Sequence, residues 1–571
     1  MQNWRVPNVH CVLIAVSLIL IAGCSPSPIA STPIPAASTT SAVLITPSPT
    51  PAPVPTSAPL TPTSEFAVPN SPTPNSPAFR VAHTTFKSEA PCPDSDFSCI
   101  TLNVPLDHFD QNNQQTIDVV FGIKRATGKR KGMFVTATGG PGSSGLLSAD
   151  SYTENFDPAI AEHFDIVFFD QRGVGQSGGL QCAQAVATYY QTDARARTPA
   201  QEAAVIAAAR TFVDDCLREM KLGSADELRF ISTRQAVEDL EAFRQYIGDD
   251  KIWLYGESYG TQFAQTYAAA HPDRLAGLIL DGAVDLTLSS TEFLAQQTQA
   301  FSDVLLMTLQ ACNMDLACRS DVGGDAIAGY DRLTDRLNRA PIDFKYPSAD
   351  GGTVTRSFTL PQFENAVTYN LYDENARLDL LKALAAVKRN DVEPLARLAY
   401  EALGLDPETL AATIDPSFSD AVYYAVECND YMLFADKATP DERALAYLRA
   451  GDPIEASVPR LSSIFYGDMP CVFWPAQPDE QPAPLKAEGI PTLVLGATAD
   501  PATPVSNGEA IYRRLADGYL ITTRGGSHVI FGYGNECPDQ IVTAFLVDDQ
   551  RPDQRETTCE GTVIGDYVVD K

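Results

Sequence analysis

Lys251-Ile252-Trp253-Leu254-Tyr255 runs straight into Gly256-Glu257-Ser258-Tyr259-Gly260, and an alanine-rich, helix-compatible stretch from Thr261 to Ala270 follows. A short apolar run, then Gly-x-Ser-x-Gly, then a helix describe a tight strand-to-helix turn. The glycines matter because side chains in their place would collide with the neighbouring strand and helix. Such a turn lifts the serine hydroxyl out at the carboxyl end of a sheet, at a helix N-terminus whose dipole favours developing negative charge. Ser258 is therefore the candidate nucleophile. A second glycine-flanked serine, Ser177 in Gly175-Gln176-Ser177-Gly178-Gly179, lacks this context. The apolar run Ile166–Phe169 ends well upstream of it and no helix-forming run follows, so that stretch reads as a glycine-rich loop.

The chain on either side alternates strands and helices. Thr116–Ile123, Gly132–Ala137, Phe164–Phe169 and Leu275–Gly282 read as strands, and Thr233–Ile247 reads as an amphipathic helix capped by Ser232 or Thr233 with Gly248 after its end. This alternation predicts an α/β fold with a doubly wound, mostly parallel sheet. From about Leu286 to Leu485 helical patterns dominate instead: 293–309, 326–337, 376–388, 391–403, 420–426 and 442–450. The sheet pattern resumes at 491–496 and 519–523, and a last helix is expected over 538–546. The expected organisation is a core from 83 to 285, an inserted helical cap over 286–485, and the remainder of the core over 486–571.

The N-terminus reads as an export signal over residues 1–23: Arg5, an apolar run from Val12 to Ala22 too short to span a bilayer comfortably, then Gly23 and Cys24. Leu20-Ile21-Ala22-Gly23-Cys24 resembles the bacterial lipoprotein signal, in which the cysteine receives a lipid; an ordinary signal peptide with an incidental cysteine is the other reading. Residues 24–82 hold fifteen of the chain's 42 prolines among Ser, Thr and Ala, with almost no charge. Such a segment cannot bury a core and reads as an extended tether. Residues 1–82 sum to +1, so of the net charge of −31 the body that follows carries −32, which disfavours nucleic acid and anionic membrane surfaces as partners. Attachment to a membrane is expected only through Cys24. Beyond Cys11 in the signal and Cys24, ten cysteines remain, an even number in an exported chain. Nearest-neighbour pairing gives Cys92–Cys99, Cys182–Cys216, Cys312–Cys318, Cys428–Cys471 and Cys537–Cys559. No CxxC pair or nearby histidine supports a metal site instead.

A serine hydroxyl needs a base within hydrogen-bond reach, and histidine fits because its pKa lies near the working pH. Of six histidines, His10 lies in the signal, His83 borders the tether, His108 lies in a turn-like stretch, His163 precedes a strand, and His271 ends the helix behind Ser258. His528, in Gly525-Gly526-Ser527-His528 after the last strand, lies at the sheet's carboxyl edge. Asp500, in Asp500-Pro501-Ala502-Thr503-Pro504 just beyond the preceding strand, can orient it, although a carboxylate there can also be a plain turn residue. Backbone N–H donors for an oxyanion come from Tyr259 and from the loop Gly139-Gly140-Pro141-Gly142, with Gly140 as the expected donor. No metal or organic cofactor is needed for this chemistry.

Together Gly139-Gly140-Pro141-Gly142-Ser143-Ser144-Gly145, Asp170-Gln171-Arg172-Gly173-Val174-Gly175-Gln176-Ser177, Gly256-Glu257-Ser258-Tyr259-Gly260, Asp500-Pro501-Ala502-Thr503-Pro504 and Gly526-Ser527-His528 resemble the proline iminopeptidase and tripeptidyl aminopeptidase family of α/β-hydrolases. The likeness runs from about Cys92 to Cys559, and the secreted tripeptidyl aminopeptidase-like branch matches best. Thr138 departs from the pattern, since iminopeptidases usually carry histidine before Gly-Gly-Pro-Gly. The resemblance implies an exported serine aminopeptidase acting on peptides with a free N-terminus, under a cap whose carboxylates hold the amine. Glu257, Glu427 and Asp430 are the candidates for that task. A carboxylesterase or lipase on the same Ser258, His528 and Asp500 predicts an apolar acyl pocket instead. A non-catalytic binding protein ranks last, because such proteins typically lack one of the three residues.

Overall fold

A computed structural model describes residues 84–195, 198–222, 225–475, 481–485 and 489–569. The expected signal over 1–23, the lipid site at Cys24 and the tether over 24–82 lie outside the described residues. No helix among the described residues is long and apolar enough to cross a membrane.

Ten strands form one sheet. They are β1 (Thr85–Pro91), β2 (Ser98–Pro105), β3 (Thr116–Lys124), β4 (Gly132–Ala137), β5 (Phe164–Asp170), β6 (Ile252–Glu257), β7 (Leu275–Asp281), and, after a separate hairpin of β8 (Ile342–Pro347) and β9 (Thr353–Phe358), β10 (Thr492–Ala497), β11 (Gly518–Arg524) and β12 (Glu556–Glu560). Their spatial order is β1-β2-β3-β5-β4-β6-β7-β10-β11-β12. The pairings are antiparallel from β1 to β5 and parallel from β5 to β12.

The apolar runs are continuous because both faces of the sheet are covered, and the two-residue period of a strand divides each run between them. Val135, Val167, Phe169, Leu254 and Val494 face one core with the helices Thr233–Ile247, Tyr259–Ala270 and Val505–Arg514. Phe134, Ile166, Phe168, Trp253, Tyr255 and Leu495 face the other with the helices Gly145–Asn155, Pro158–His163 and Glu536–Val547. The Thr233–Ile247 helix begins as its caps dictate, with Ser232 accepting from Gln235 N–H, and ends at Gly248 in the left-handed region at φ 88°.

Sequence patterning overlooks several elements. β1 is exposed along its whole length, so it carries no apolar alternation. β2 and β8 do alternate, through Ile100, Leu102 and Val104 and through Ile342, Phe344 and Tyr346, and a stricter search for period two would find them. β12 follows the last helix and extends the sheet at its far edge, so that helix does not end the fold. The helix Pro199–Met220, capped by Thr198, lies before residue 286 yet packs Val205 and Ala209 against Leu294, Leu433, Tyr447 and Phe465. The helical layer over the sheet therefore draws on two stretches of chain. Disulfides join Cys92 to Cys99, Cys182 to Cys216, Cys312 to Cys318, Cys428 to Cys471, and Cys537 to Cys559.

Candidate active site

At the end of β6, Ser258 takes φ 54° and ψ −126°, a strained conformation for a residue with a side chain, and the helix Tyr259–Ala270 begins at the next residue. The two flanking glycines permit this. A Cβ on Gly256 would lie 2.2 Å from the Gly260 carbonyl oxygen, and one on Gly260 would lie 2.0 Å from the Ala137 carbonyl oxygen of β4. Ser258 is half-buried between fully buried neighbours. Ser177, by contrast, is buried and structural: its hydroxyl donates to the Asp170 carbonyl at 2.7 Å and accepts from Val120 N–H at 2.9 Å.

Asp500 and His528 follow successive parallel strands and meet at the carboxyl end of the sheet. His528 Nδ1 lies 2.9 Å from each oxygen of Asp500. The carboxylate is held by the N–H groups of Ala502 and Thr503 at 2.9 Å and by the Thr503 hydroxyl at 2.8 Å. Both side chains are fully buried. Burial alone would lower the imidazole pKa, but the Asp500 charge and hydrogen bond outweigh it, with help from Asp281 and Glu257, and the net shift is upward. The His528 backbone N–H donates to the Tyr372 carbonyl at 2.7 Å, and the Tyr372 ring stands edge-on to the imidazole.

One cavity is lined by Ser258, Tyr259, Gly140, Thr503 and Tyr372 at its sheet end. Tyr259 is the first residue of its helix, so its N–H has no partner within that helix. Gly140 has φ 108°. The loop that carries it is tied to the next motif through Asp170, which accepts from Ser144 Oγ at 2.6 Å, Leu146 N–H at 3.2 Å and Gln176 N–H at 2.8 Å. Arg172 of the same motif is buried and forms a two-pronged pair with Asp239, at 2.8 and 2.6 Å.

The same cavity is also lined by Glu427 and Asp468, and by Phe293, Leu294 and Leu433. Burial, and then the neighbouring Asp468 and Asp430 charges, push the Glu427 carboxyl well above the ordinary range. Burial pushes Asp468 up to about 6, and the Tyr423 hydroxyl donates to it at 3.2 Å. Two such neighbouring acids have a high affinity for a proton or a cation.

Of the three carboxylates expected to hold an amine, only Glu427 reaches this cavity. Glu257 is not on its wall: the Tyr152 hydroxyl donates to it at 2.5 Å, and burial pushes its carboxyl up to about 7. Asp430 is spent on structure, accepting from Thr233 N–H at 3.1 Å and Gln262 Nε2 at 2.8 Å. Sequence reasoning missed Asp468. The available signal was the pairing of Cys428 with Cys471, which brings the short segment after Gly467 beside Glu427.

Two family models match the chain, one for the alpha/beta hydrolase fold over residues 133–323 and one described as TAP-like protein over residues 461–559. Serine protease Hip1 of Mycobacterium tuberculosis is 28% identical over 470 residues, covering 80% of this chain and 86% of that protein. Carboxylesterase B of the same organism is 29% identical over 475 residues, covering 80% and 85%. Tripeptidyl aminopeptidase of Streptomyces lividans is 26% identical over 477 residues, covering 81% and 83%. The crystal structure of proline iminopeptidase from Mycobacterium smegmatis aligns over 81% of this chain and 98% of its own, at 14% identity and a TM-score of 0.30, too distant to bear on the site.

Proposed function

We propose that this chain, which belongs to the α/β-hydrolase family and carries a TAP-like C-terminal segment, is a serine aminopeptidase that releases N-terminal residues or short peptides. In this reading Ser258 Oγ attacks the scissile carbonyl while His528 Nε2 takes its proton and passes it to the departing amine. Asp500 fixes the imidazole through Nδ1 and stabilises the imidazolium. The N–H groups of Tyr259 and Gly140 receive the oxyanion. Water, deprotonated by His528, then releases the acyl group from Ser258. The single observation that carries peptide over ester is the pair Glu427 and Asp468 on the wall of the cavity that opens on Ser258. These carboxylates suit a substrate ammonium. The relatives named tripeptidyl aminopeptidase and serine protease support the same choice.

An esterase reading draws support from Phe293, Leu294 and Leu433 in the lining of the same cavity, and from the relative named carboxylesterase. Paired free-amine and N-blocked di- and tripeptide anilides, run beside a simple acyl ester, separate the two. Glu427→Gln and Asp468→Asn are each expected to raise KM for the free-amine peptides roughly 10- to 100-fold, the worth of one charge-assisted hydrogen bond, and to leave the ester unchanged. Equal turnover of blocked and free peptides by the unaltered protein would refute amine recognition.

The pH dependence follows from the same pair. As pH falls through about 6, Asp468 takes up a proton and attraction for the ammonium weakens. The raised pKa of Glu427 acts in the same direction. Protonation of His528 affects peptide and ester alike, so the ratio of their kcat/KM values isolates the wall. That ratio is expected to fall between about pH 7 and pH 5, and a flat ratio would remove the carboxylates from substrate binding. We also propose export and lipid attachment at Cys24, on the strength of the N-terminal pattern and the cysteine usage; loss of membrane retention in Cys24→Ser is the expected result.

A further inference from the structure

Arg377 is one of the largest side chains with no solvent exposure, and it comes from the helical insertion, in the helix Glu374–Lys388. Arg172, also fully buried, faces a carboxylate. Arg377 instead spends its donors on backbone carbonyls. Nε donates to Leu371 at 2.9 Å, one terminal nitrogen to Gly526 at 2.8 Å and Val563 at 3.0 Å, and the other to Ala499 at 2.5 Å. Ala499 immediately precedes Asp500, and Gly526 stands two residues before His528. The guanidinium thus bonds the acid-bearing loop and the base-bearing loop at once, in a rigid planar geometry that a lysine cannot reproduce.

A second contact comes from the same stretch of the insertion. Tyr372, five residues earlier, accepts the His528 backbone N–H and packs its ring edge-on to the imidazole. The two loops also bond each other, Ala499 N–H to Gly525 and Gly525 N–H to the Thr498 hydroxyl. Each loop lies beyond the end of its strand, Ala499 and Asp500 after β10 and Gly525 to His528 after β11. Burial pulls the guanidinium pKa down to about 10, which leaves it charged at neutral pH, with Asp373, Glu374 and Asp500 compensating from a distance. A buried charge is costly to keep, and the return here is geometric.

We propose that Arg377 is a positioning residue for the reaction: by bonding the backbone beside Asp500 and beside His528 it sets the spacing of acid and base, and so couples the helical insertion to the catalytic step. The proposal rests on the assignment of Asp500 and His528 made above. Displacements of about 1 Å at reacting groups cost on the order of 100-fold. Arg377→Lys keeps the charge and most of the volume but loses the forked contact. The expected result is a kcat reduced about 10- to 100-fold for both peptide and ester, KM unchanged within about threefold, and slower labelling of Ser258 by a fluorophosphonate in proportion.

Circular dichroism and thermal unfolding accompany the kinetics. An Arg377→Lys protein that melts earlier but keeps its kcat overturns the proposal, because Arg377 is then structural only. So does a variant that fails to fold, since that assigns the residue to the stability of the whole. Asp500→Ala and His528→Ala test the underlying assignment separately. If those two stay active the acid–base reading falls, whereas if they are inert while Arg377→Lys is normal, only the positioning role falls.

Discussion

Ser258→Ala is expected to fold as the unaltered protein does and to lose about 10⁶-fold in kcat, on peptide and ester alike. The hydroxyl is the only atom removed, and alanine meets the same backbone strain at φ 54° that serine already bears. Residual turnover comes from binding and from the oxyanion donors, which remain in place. Ser177→Ala is the informative partner. Ser177 also sits between glycines, but its hydroxyl bridges Asp170 and β3. That variant should lose roughly 1–3 kcal/mol of stability, the cost of a buried backbone N–H left without its acceptor, with kcat little changed. Steady-state kinetics and fluorophosphonate labelling decide the matter. Activity that survives in Ser258→Ala, or vanishes in Ser177→Ala at unchanged stability, would reverse the two assignments.

The second large effect is expected at Gly260. Its Cβ position lies 2.0 Å from the Ala137 carbonyl oxygen and 2.8 Å from the Ala137 carbonyl carbon, backbone atoms of the adjacent strand that cannot rotate away. Gly260→Ala must therefore push the helix Tyr259–Ala270 off the end of β4. The cost is about 3 kcal/mol or more, read as a fall in melting temperature of at least about 5 °C. The damage reaches the chemistry as well, because β4 leads into the loop bearing Gly140 and the helix starts at Tyr259, so one displacement separates the two N–H donors. Protein that remains folded should lose about 100-fold in kcat. Gly496→Ala in β10, whose nearest neighbour to the new methyl is Val505 at 3.6 Å, is the control and should stay within about 1 kcal/mol. Equal stability of the two variants would rule out the steric account.

The parallel half of the sheet is legible in the sequence because its strands are buried on both faces and stand out as apolar runs between glycine-rich turns. Ser258, Asp500 and His528 are legible for a related reason: each lies just past such a run, and the topology gathers strand ends. The edges escape. β1 and β12 gain their strand character from a neighbour rather than from their own residues, and long exposed stretches look alike whether paired or not. The carboxylates fail differently. Glu257 adjoins Ser258 in the chain, yet it meets Tyr152 away from the cavity, and adjacency in sequence carries no direction in space. Asp468 and Arg377 are distant in sequence from every motif, and only the packing of the insertion brings them to the site. Arg377 reaches Ala499 and Gly526 across 122 and 149 residues, a range that no local pattern records.

The position of the insertion also bears on the order in which the molecule is made. β7 pairs directly with β10, Leu278 beside Thr492, although the two are separated by the helical region. Closing a loop of roughly 200 residues is slow compared with the local steps on either side of it. During synthesis the strand that presents Ser258 can settle against β4 and β7 early, while Asp500 and His528 do not yet exist. The nascent chain thus presents Ser258 well before Asp500 and His528, its proposed partners, have emerged. In the proposed mechanism, activity waits on the two loops that carry them and on the segment at Thr562, whose carbonyl accepts from Gly526 N–H.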